Sequence, residues 1–309
     1  MRFGQFGKLL ALAVPVLALA LGGAAPAAAK VNAVAANQDL AWVTQTIGGN
    51  QVSVDYFAAS NQDPHQIEPR PSQVARLARA NLLVRIGMDL DLWLDSLIRA
   101  AANSNVSPGG KGYVDASQGL RALEVPTGKL DPSKGDIHVY GNPHYMYAPS
   151  NIRLVATNVL NGLKRVDPKN AATYDANFNT FMGKVAAAIP GWKAKMAPYK
   201  GKQVVTYHKS LIYFLNEFGL KELDNVEPKP GLEPTPGHVN SVAQEMKGAD
   251  VKVILAESFR PRRFSDLLAR QSGGTVVVLP GGIGAEKGED DYFSFIDALV
   301  NRVSAALGS

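Results

Sequence analysis

The strongest constraint on this chain is an alternation repeated twice: short apolar, β-branched runs separated by stretches of helical periodicity, with one long helical pattern between the two sets. Val31–Ala35, Val52–Phe57 and Leu82–Ile86 have the length and composition of strands buried on both faces. Between and after them come helical patterns. One covers 72–80, with Ser72 as its cap after Pro71, and another covers 89–101, where Leu90, Trp93, Leu94, Leu97 and Ile98 recur at helical spacing. Strand and helix in alternation build a parallel α/β layer.

The Gly- and Pro-rich stretch 103–143 interrupts this rhythm and reads as a long surface loop. Helical periodicity resumes over 150–163. Asp167-Pro168 then supplies an N-cap and a proline at the first helical position for a long helix to about Pro198, which Pro190-Gly191 kinks or interrupts. A second set follows: strand 203–206, helix 210–218 closed by Gly219, a Pro-rich loop 228–237, helix 240–248, strand 251–256, helix 262–271, strand 275–279 and helix 291–306. The expected fold is therefore α/β, with two lobes, each a small parallel sheet flanked by helices, joined by one long connecting helix. The expected boundaries are 30–166, 167–198 and 199–309.

Residues 1–29 stand apart. Arg2 and Lys8 lead an apolar run from Leu9 to Leu21, and Ala27 and Ala29 occupy the −3 and −1 positions before Lys30. That is the pattern of a cleaved secretory signal peptide, with an apolar run too short to span a bilayer. The whole chain carries +5, but cleavage removes Arg2 and Lys8 and leaves 30 basic against 27 acidic residues with no basic block. This argues against a nucleic-acid partner. The chain has no cysteine, which excludes disulfides, thiolate metal sites, a cysteine nucleophile and a lipidated N-terminus. The expected location is a bacterial periplasm.

Chemistry centres on five histidines. His65, in Asp63-Pro64-His65, follows the second strand. His208 follows strand 203–206 directly, and His144 stands in Gly141-Asn142-Pro143-His144 just before a helix. Ligands of open α/β sheets collect beyond the carboxyl ends of the strands, so these three can converge across a cleft. Three neutral imidazoles suit Zn²⁺ better than the oxygen-seeking Mg²⁺ or Ca²⁺. Spacing alone does not single this out, since a loop histidine is more often a capping or surface residue. His138 reads as a half-exposed strand residue or an accessory metal ligand, and His238 as a loop residue beside a helix start.

At these residues the sequence resembles the metal-binding solute-binding proteins of bacterial zinc and manganese ABC importers, the ZnuA/TroA type. Asp63-Pro64-His65 with Glu68-Pro69 and Pro71-Ser72 is similar to that family's first-ligand loop. Asn142-Pro143-His144-Tyr145 with Ala148-Pro149 and Asn151 is similar to its second, and Thr206-Tyr207-His208 with Tyr213-Phe214 and Phe218-Gly219-Leu220 to its third. Asp167-Pro168, Asn170, Tyr174 and Asn177 fit its connecting helix. The resemblance implies a periplasmic protein that captures Zn(II) with His65, His144 and His208 and delivers it to an ABC importer permease in the inner membrane. It also implies a monomer, a stiff connecting helix, and release by modest motion near His208. A periplasmic metallochaperone is a conceivable donor.

Two departures shape the expectation. Where many members carry an acidic fourth ligand, this chain reads Val278-Leu279-Pro280-Gly281-Gly282-Ile283-Gly284. Glu257 is the first candidate for the fourth ligand, against a role in fixing its loop; a water or an acid from Glu286–Asp291 would also complete a tetrahedron. The 103–143 stretch also lacks the His-rich tract of some zinc members, which leaves His138 as its only accessory candidate. Manganese or ferrous iron is the rival cargo, disfavoured because manganese sites take more carboxylate. A periplasmic zinc hydrolase is the rival of another class, but HExxH is absent and His65-x-x-Glu68 is only a loop spacing.

Overall fold

A computed structural model describes residues 1, 29–127, 138–229 and 231–309. The leader falls on residues outside that set, except for Met1 and Ala29.

Two four-stranded parallel sheets form the frame. In the first, β1 (Val31–Asn37), β2 (Val52–Ala58), β3 (Leu82–Arg85) and β4 (Tyr113–Asp115) lie in the order β2-β1-β3-β4. In the second, β5 (Gln203–Thr206), β6 (Lys221–Asn225), β7 (Val253–Glu257) and β8 (Thr275–Leu279) lie in the order β6-β5-β7-β8. The two orders are the same permutation, so each lobe places its first strand centrally and reverses direction beside it. That reversal opens a crevice at the carboxyl ends of the strands.

The central strands form where expected, because β1, β3 and β7 are buried almost throughout. Two edge strands are not anticipated by the sequence. β4 lies inside the stretch read as surface loop, where Val106, Val114 and Ala116 are buried. Gly112 lets it approach the sheet, since a Cβ there would stand 1.9 Å from the Asn81 carbonyl oxygen. β6, Lys-Glu-Leu-Asp-Asn, carries no apolar run.

The flanking helices are α1 (Gln38–Gly48), α2 (Pro71–Ala78), α3 (Leu94–Ala101), α4 (Ile152–Val166), α5 (Ala171–Met196), α6 (Ile212–Phe218), α7 (Pro236–Gly248), α8 (Arg262–Ser272) and α9 (Tyr292–Leu307). Asn37 caps α1, its side chain accepting from the Leu40 N–H, and Asp291 caps α9 through the Ser294 N–H. α2 starts at Pro71, which puts Ser72 inside its first turn rather than at the cap. α3 starts at Leu94, later than the periodicity predicts, because Met88 and Asp89 have φ of +52° and +65° and hold the chain in a turn.

α5 spans 26 residues, about 39 Å at the rise of an α-helix. Pro190 sits inside it without ending it. Both Pro190 and Ala186, whose carbonyl loses its partner there, face solvent, so water can satisfy the freed group. Asp167 does not cap the helix by the expected backbone bond: a short 3₁₀ turn (Pro168–Asn170) intervenes, and its carboxylate accepts from Asn170 Nδ2 at 2.6 Å and the Tyr174 hydroxyl at 2.7 Å.

One apolar core runs from the first sheet through Tyr174, Phe181, Trp192 and Met196 of α5 and Tyr292 and Phe295 of α9 to Val204, Phe214 and Val253 of the second lobe. A smaller cluster under α7 and α8 covers the other face of the second sheet. Trp192 Nε1 donates to Asp297 of α9 at 2.6 Å, tying α5 to the last helix. With a continuous core beneath the cleft, wide separation of the lobes would expose large apolar side chains to water. Among the described residues, no helix is long and apolar enough to cross a membrane.

Candidate metal centre

The cleft between the lobes brings three of the five histidines together. Ring centroids of His65 and His144 lie 5.2 Å apart, His65 and His208 5.2 Å, and His144 and His208 5.3 Å, a nearly equilateral triangle. One donor atom from each lies within 4.8 Å of the other two. Among the described residues this is the only group of histidine or carboxylate side chains so arranged.

Each ring is aimed by a partner. After β2 the chain turns at Asp63, whose Oδ1 accepts from the His65 backbone N–H at 3.0 Å and pairs with His65 Nδ1 at 2.8 Å. His65 Nε2 is thereby left for the cleft. At the end of β5, His208 Nδ1 pairs with Glu227 Oε2 at 2.8 Å, again leaving Nε2 free. A carboxylate on the far nitrogen fixes the tautomer and raises the basicity of the near one, the usual support of a metal-bound imidazole. His144 is set by Asn142, whose Oδ1 accepts from the His144 N–H at 3.0 Å. Its Nε2 is buried without a hydrogen-bond partner. A buried lone pair facing two more imidazoles is what a cation would satisfy.

Burial disfavours the charged form of two of the rings. It drives His144 well below the ordinary imidazole range, reinforced by the neighbouring histidines, and lowers His208 against the opposing pull of Glu227. Burial would push Asp63 up, but the His65 ring and Arg260 hold it well below the usual carboxylate range.

Arg260, on the turn after β7, braces the site from below. Its Nη1 donates to Asp63 Oδ2 at 2.8 Å in the first lobe and to Glu227 Oε1 at 3.3 Å in the second. One guanidinium thus joins the carboxylates that orient His65 and His208. Asn142 makes a second link, its Nδ2 donating to the Lys209 carbonyl at 2.7 Å and to Glu124 at 3.1 Å. We expect Asn142→Ala to loosen the His144 backbone and remove the part-buried bond to the Lys209 carbonyl, a loss of about 1–3 kcal/mol in stability. Metal affinity should fall roughly 10–100-fold, as for other orienting groups. Denaturant unfolding and metal titration of the same sample check both.

Glu257, the first candidate for a fourth ligand, is not brought into the three-histidine group. It ends β7 fully buried, one carboxylate oxygen accepting from the Ser210 hydroxyl and the other 3.8 Å from Arg260 Nε. Burial, partly offset by Arg260, pushes it up to about 7. Nor do the acids of 286–291 reach the cleft as a group: Glu286 and Glu289 pair with Arg302, and Asp291 caps α9. The 278–284 stretch docks on the first lobe instead, Ile283 N–H donating to Asp39 at 2.7 Å and Tyr147 donating to the Gly281 carbonyl at 2.9 Å. His138 stands beside the group, with Nε2 3.2 Å from His65 Nε2. His238 lies on the first turn of α7, bonded through its ring to the Asn225 carbonyl at 3.0 Å, and takes no part.

Sequence reasoning does not identify Glu227 or Arg260. Neither has a signal in local spacing, since Arg260 is 197 residues from Asp63.

Comparison with known proteins bears on the family and the fold. The family model described as zinc-uptake complex component A, periplasmic (ZnuA), matches residues 33–306. The chain is 26% identical over 288 residues to a manganese ABC transporter substrate-binding lipoprotein, scaA, of Streptococcus gordonii, covering 90% of this chain and 89% of that one. It is 24% identical over 266 residues to the high-affinity zinc uptake system protein ZnuA of Bacillus subtilis, covering 85% and 82%. A crystal structure of ZnuA superposes with a TM-score of 0.74 at 22% identity, covering 90% of this chain and 99% of the other.

Proposed function

Since the chain belongs to the family of periplasmic zinc-uptake component A proteins, we propose that it captures Zn(II) with His65, His144 and His208 in the cleft between its lobes. As a member of that family it is the metal-binding, substrate-binding component of an ABC importer and not an enzyme. The ion is cargo, held and handed on to the membrane permease without any bond being broken.

The observation that carries zinc over manganese is the donor set. The group of three contains imidazoles alone; Asp63 and Glu227 are engaged by His65, His208 and Arg260, and Glu257 accepts from Ser210 through one oxygen while the other is buried without a hydrogen-bond partner. Imidazole nitrogen suits zinc, whereas manganese favours carboxylate and water oxygen. Manganese remains the competing cargo because relatives of similar identity are named for each metal. Arg260 among three carboxylates leaves the surroundings net negative, which favours a divalent cation over an empty cleft of neutral rings.

The leader pattern supports a periplasmic location, and the lack of cysteine is consistent with a protein without a lipid anchor. The test is a competitive titration of the purified mature protein with Zn²⁺ and Mn²⁺. We expect one tight Zn²⁺ per chain that excess Mn²⁺ does not displace. Preference for Mn²⁺, or the absence of a stoichiometric site, would overturn the reading.

A further inference from the structure

The geometry points to His138 as the fourth ligand of the captured ion, brought to the three-histidine group by a turn that follows β3. This inference rests on the zinc reading above and names the donor that the reading leaves open.

Two ring nitrogens meet head to head at this site. His65 Nδ1 is committed to the Asp63 carboxylate, which can only accept, so its Nε2 carries a lone pair in the neutral ring. His138 presents its own Nε2 to that atom at 3.2 Å, and its ring also hydrogen-bonds the Met88 backbone. With the other nitrogen of His138 turned to Met88, both facing nitrogens bear lone pairs unless a proton or a cation lies between them. A cation shared by both rings resolves the contact.

The anchor for His138 is built in advance. Gly87, Met88 and Asp89 run through φ of +79°, +52° and +65°, a left-handed stretch in which only the first residue is glycine. Asp91, buried completely, clamps the turn by accepting from the Ile86 N–H at 2.5 Å and the Gly87 N–H at 3.3 Å, and is itself held by Arg85 at 2.8 Å. From this turn Met88 meets the His138 ring, and Asp89 Oδ2 accepts from the Val139 N–H at 3.3 Å. Conformational strain of this kind persists where the surroundings impose it, and here it serves the presentation of one imidazole.

His138 stands at the edge of the three-histidine group. Its centroid is 5.3 Å from His65 and 6.4 Å from His144, against 5.2–5.3 Å within the triad, so a small inward shift completes four donors around one ion. A four-imidazole shell also accounts for the missing carboxylate after β8.

Zinc K-edge X-ray absorption of the loaded mature protein, beside His138→Ala and Glu257→Gln, tests this. We expect four imidazole nitrogens in the wild type and in Glu257→Gln. His138→Ala should show three nitrogens and one oxygen, with affinity reduced by at least the roughly 10–100-fold that loss of a supporting group costs a metal site. A wild-type shell with a carboxylate or water oxygen, or a His138→Ala shell and affinity unchanged from wild type, would overturn the inference while leaving the three-histidine reading intact. Failure of the wild type to take up stoichiometric zinc would overturn both. Thermal unfolding of the zinc-free variants separates ligand loss from misfolding.

Discussion

Replacing His208 with Ala is expected to weaken zinc binding by roughly 10²–10³-fold without unfolding the chain. Apparent binding free energies of four-ligand protein zinc sites are about 10–16 kcal/mol, so one ligand in four is worth about 3 kcal/mol, and each 1.4 kcal/mol is tenfold. Within the three-histidine group His208 is the member contributed by the second lobe, the other two entering from the loops after β2 and before α4. Its removal therefore also severs the ion from one side of the cleft. The orphaned Glu227 keeps Arg260 as a partner, which limits the structural penalty. A chelator-competition titration beside a denaturation curve checks the prediction; a loss below tenfold would remove His208 from the ligand set.

The pH response follows from the same burial. With His144 and His208 driven below 6.5, their rings are already neutral at pH 7, and zinc need not displace protons from them. Acid should act on the zinc-free fold first. Below pH 6.5 the unfolded chain takes up protons that these two buried rings refuse, so stability falls as pH drops through and below that value.

Arg260→Met is expected to cost about 3–5 kcal/mol of stability in the zinc-free protein at pH 7, the usual consequence of removing one partner from a buried ionic group. Arg260 is the cation that contacts Asp63, Glu227 and Glu257, all of them largely buried. Without it, Asp63 loses part of what holds it below the usual carboxylate range. The sign of the pH dependence is then fixed. The stability that Asp63 contributes in the wild type is present above its unfolded value of 3.8 and lost as pH falls through the lower folded value, so the gap between variant and wild type should narrow in acid. Urea unfolding at pH 7 and pH 2 measures it. A gap under 1 kcal/mol at pH 7, or one that does not narrow, would show that Arg260 does not brace the two lobes.

The central strands and the three clustered histidines were legible because each leaves a local mark. β1, β3 and β7 are continuous apolar runs, as strands covered on both faces must be, and His65, His144 and His208 each stand in a loop at the edge of an element. The edge strands were not legible, for a physical reason. β6 needs only one neighbour and keeps much of its surface in water, so its Lys-Glu-Leu-Asp-Asn carries no burial signal, and β4 has only three residues. α1 did leave a mark that the reading does not use, since Leu40, Val43 and Ile47 lie at helical spacing and are fully buried.

The braces of the site were illegible in principle. Glu227 and Arg260 are ordinary charged residues in loops until the fold brings one guanidinium between Asp63 and Glu227. Glu257 stands at the carboxyl end of a strand beside the cleft, which made it a ligand candidate; Ser210 takes one of its oxygens, and the other is buried without a hydrogen-bond partner, 3.8 Å from Arg260 Nε. The apolar continuity between the lobes, through α5 and α9, also emerges only in three dimensions, and it agrees with the stiff connecting helix that the family resemblance implied.

Uptake of radiolabelled zinc by cells lacking this protein, complemented with the wild type or with a His65→Ala, His144→Ala, His208→Ala triple variant, tests the central claim most directly. Uptake at low external zinc should fall when the protein is absent, return with the wild type, and remain low with the triple variant although it is exported and folded. Restoration of uptake by the triple variant, or uptake that never depended on the protein, would contradict the assignment of zinc capture to this cleft.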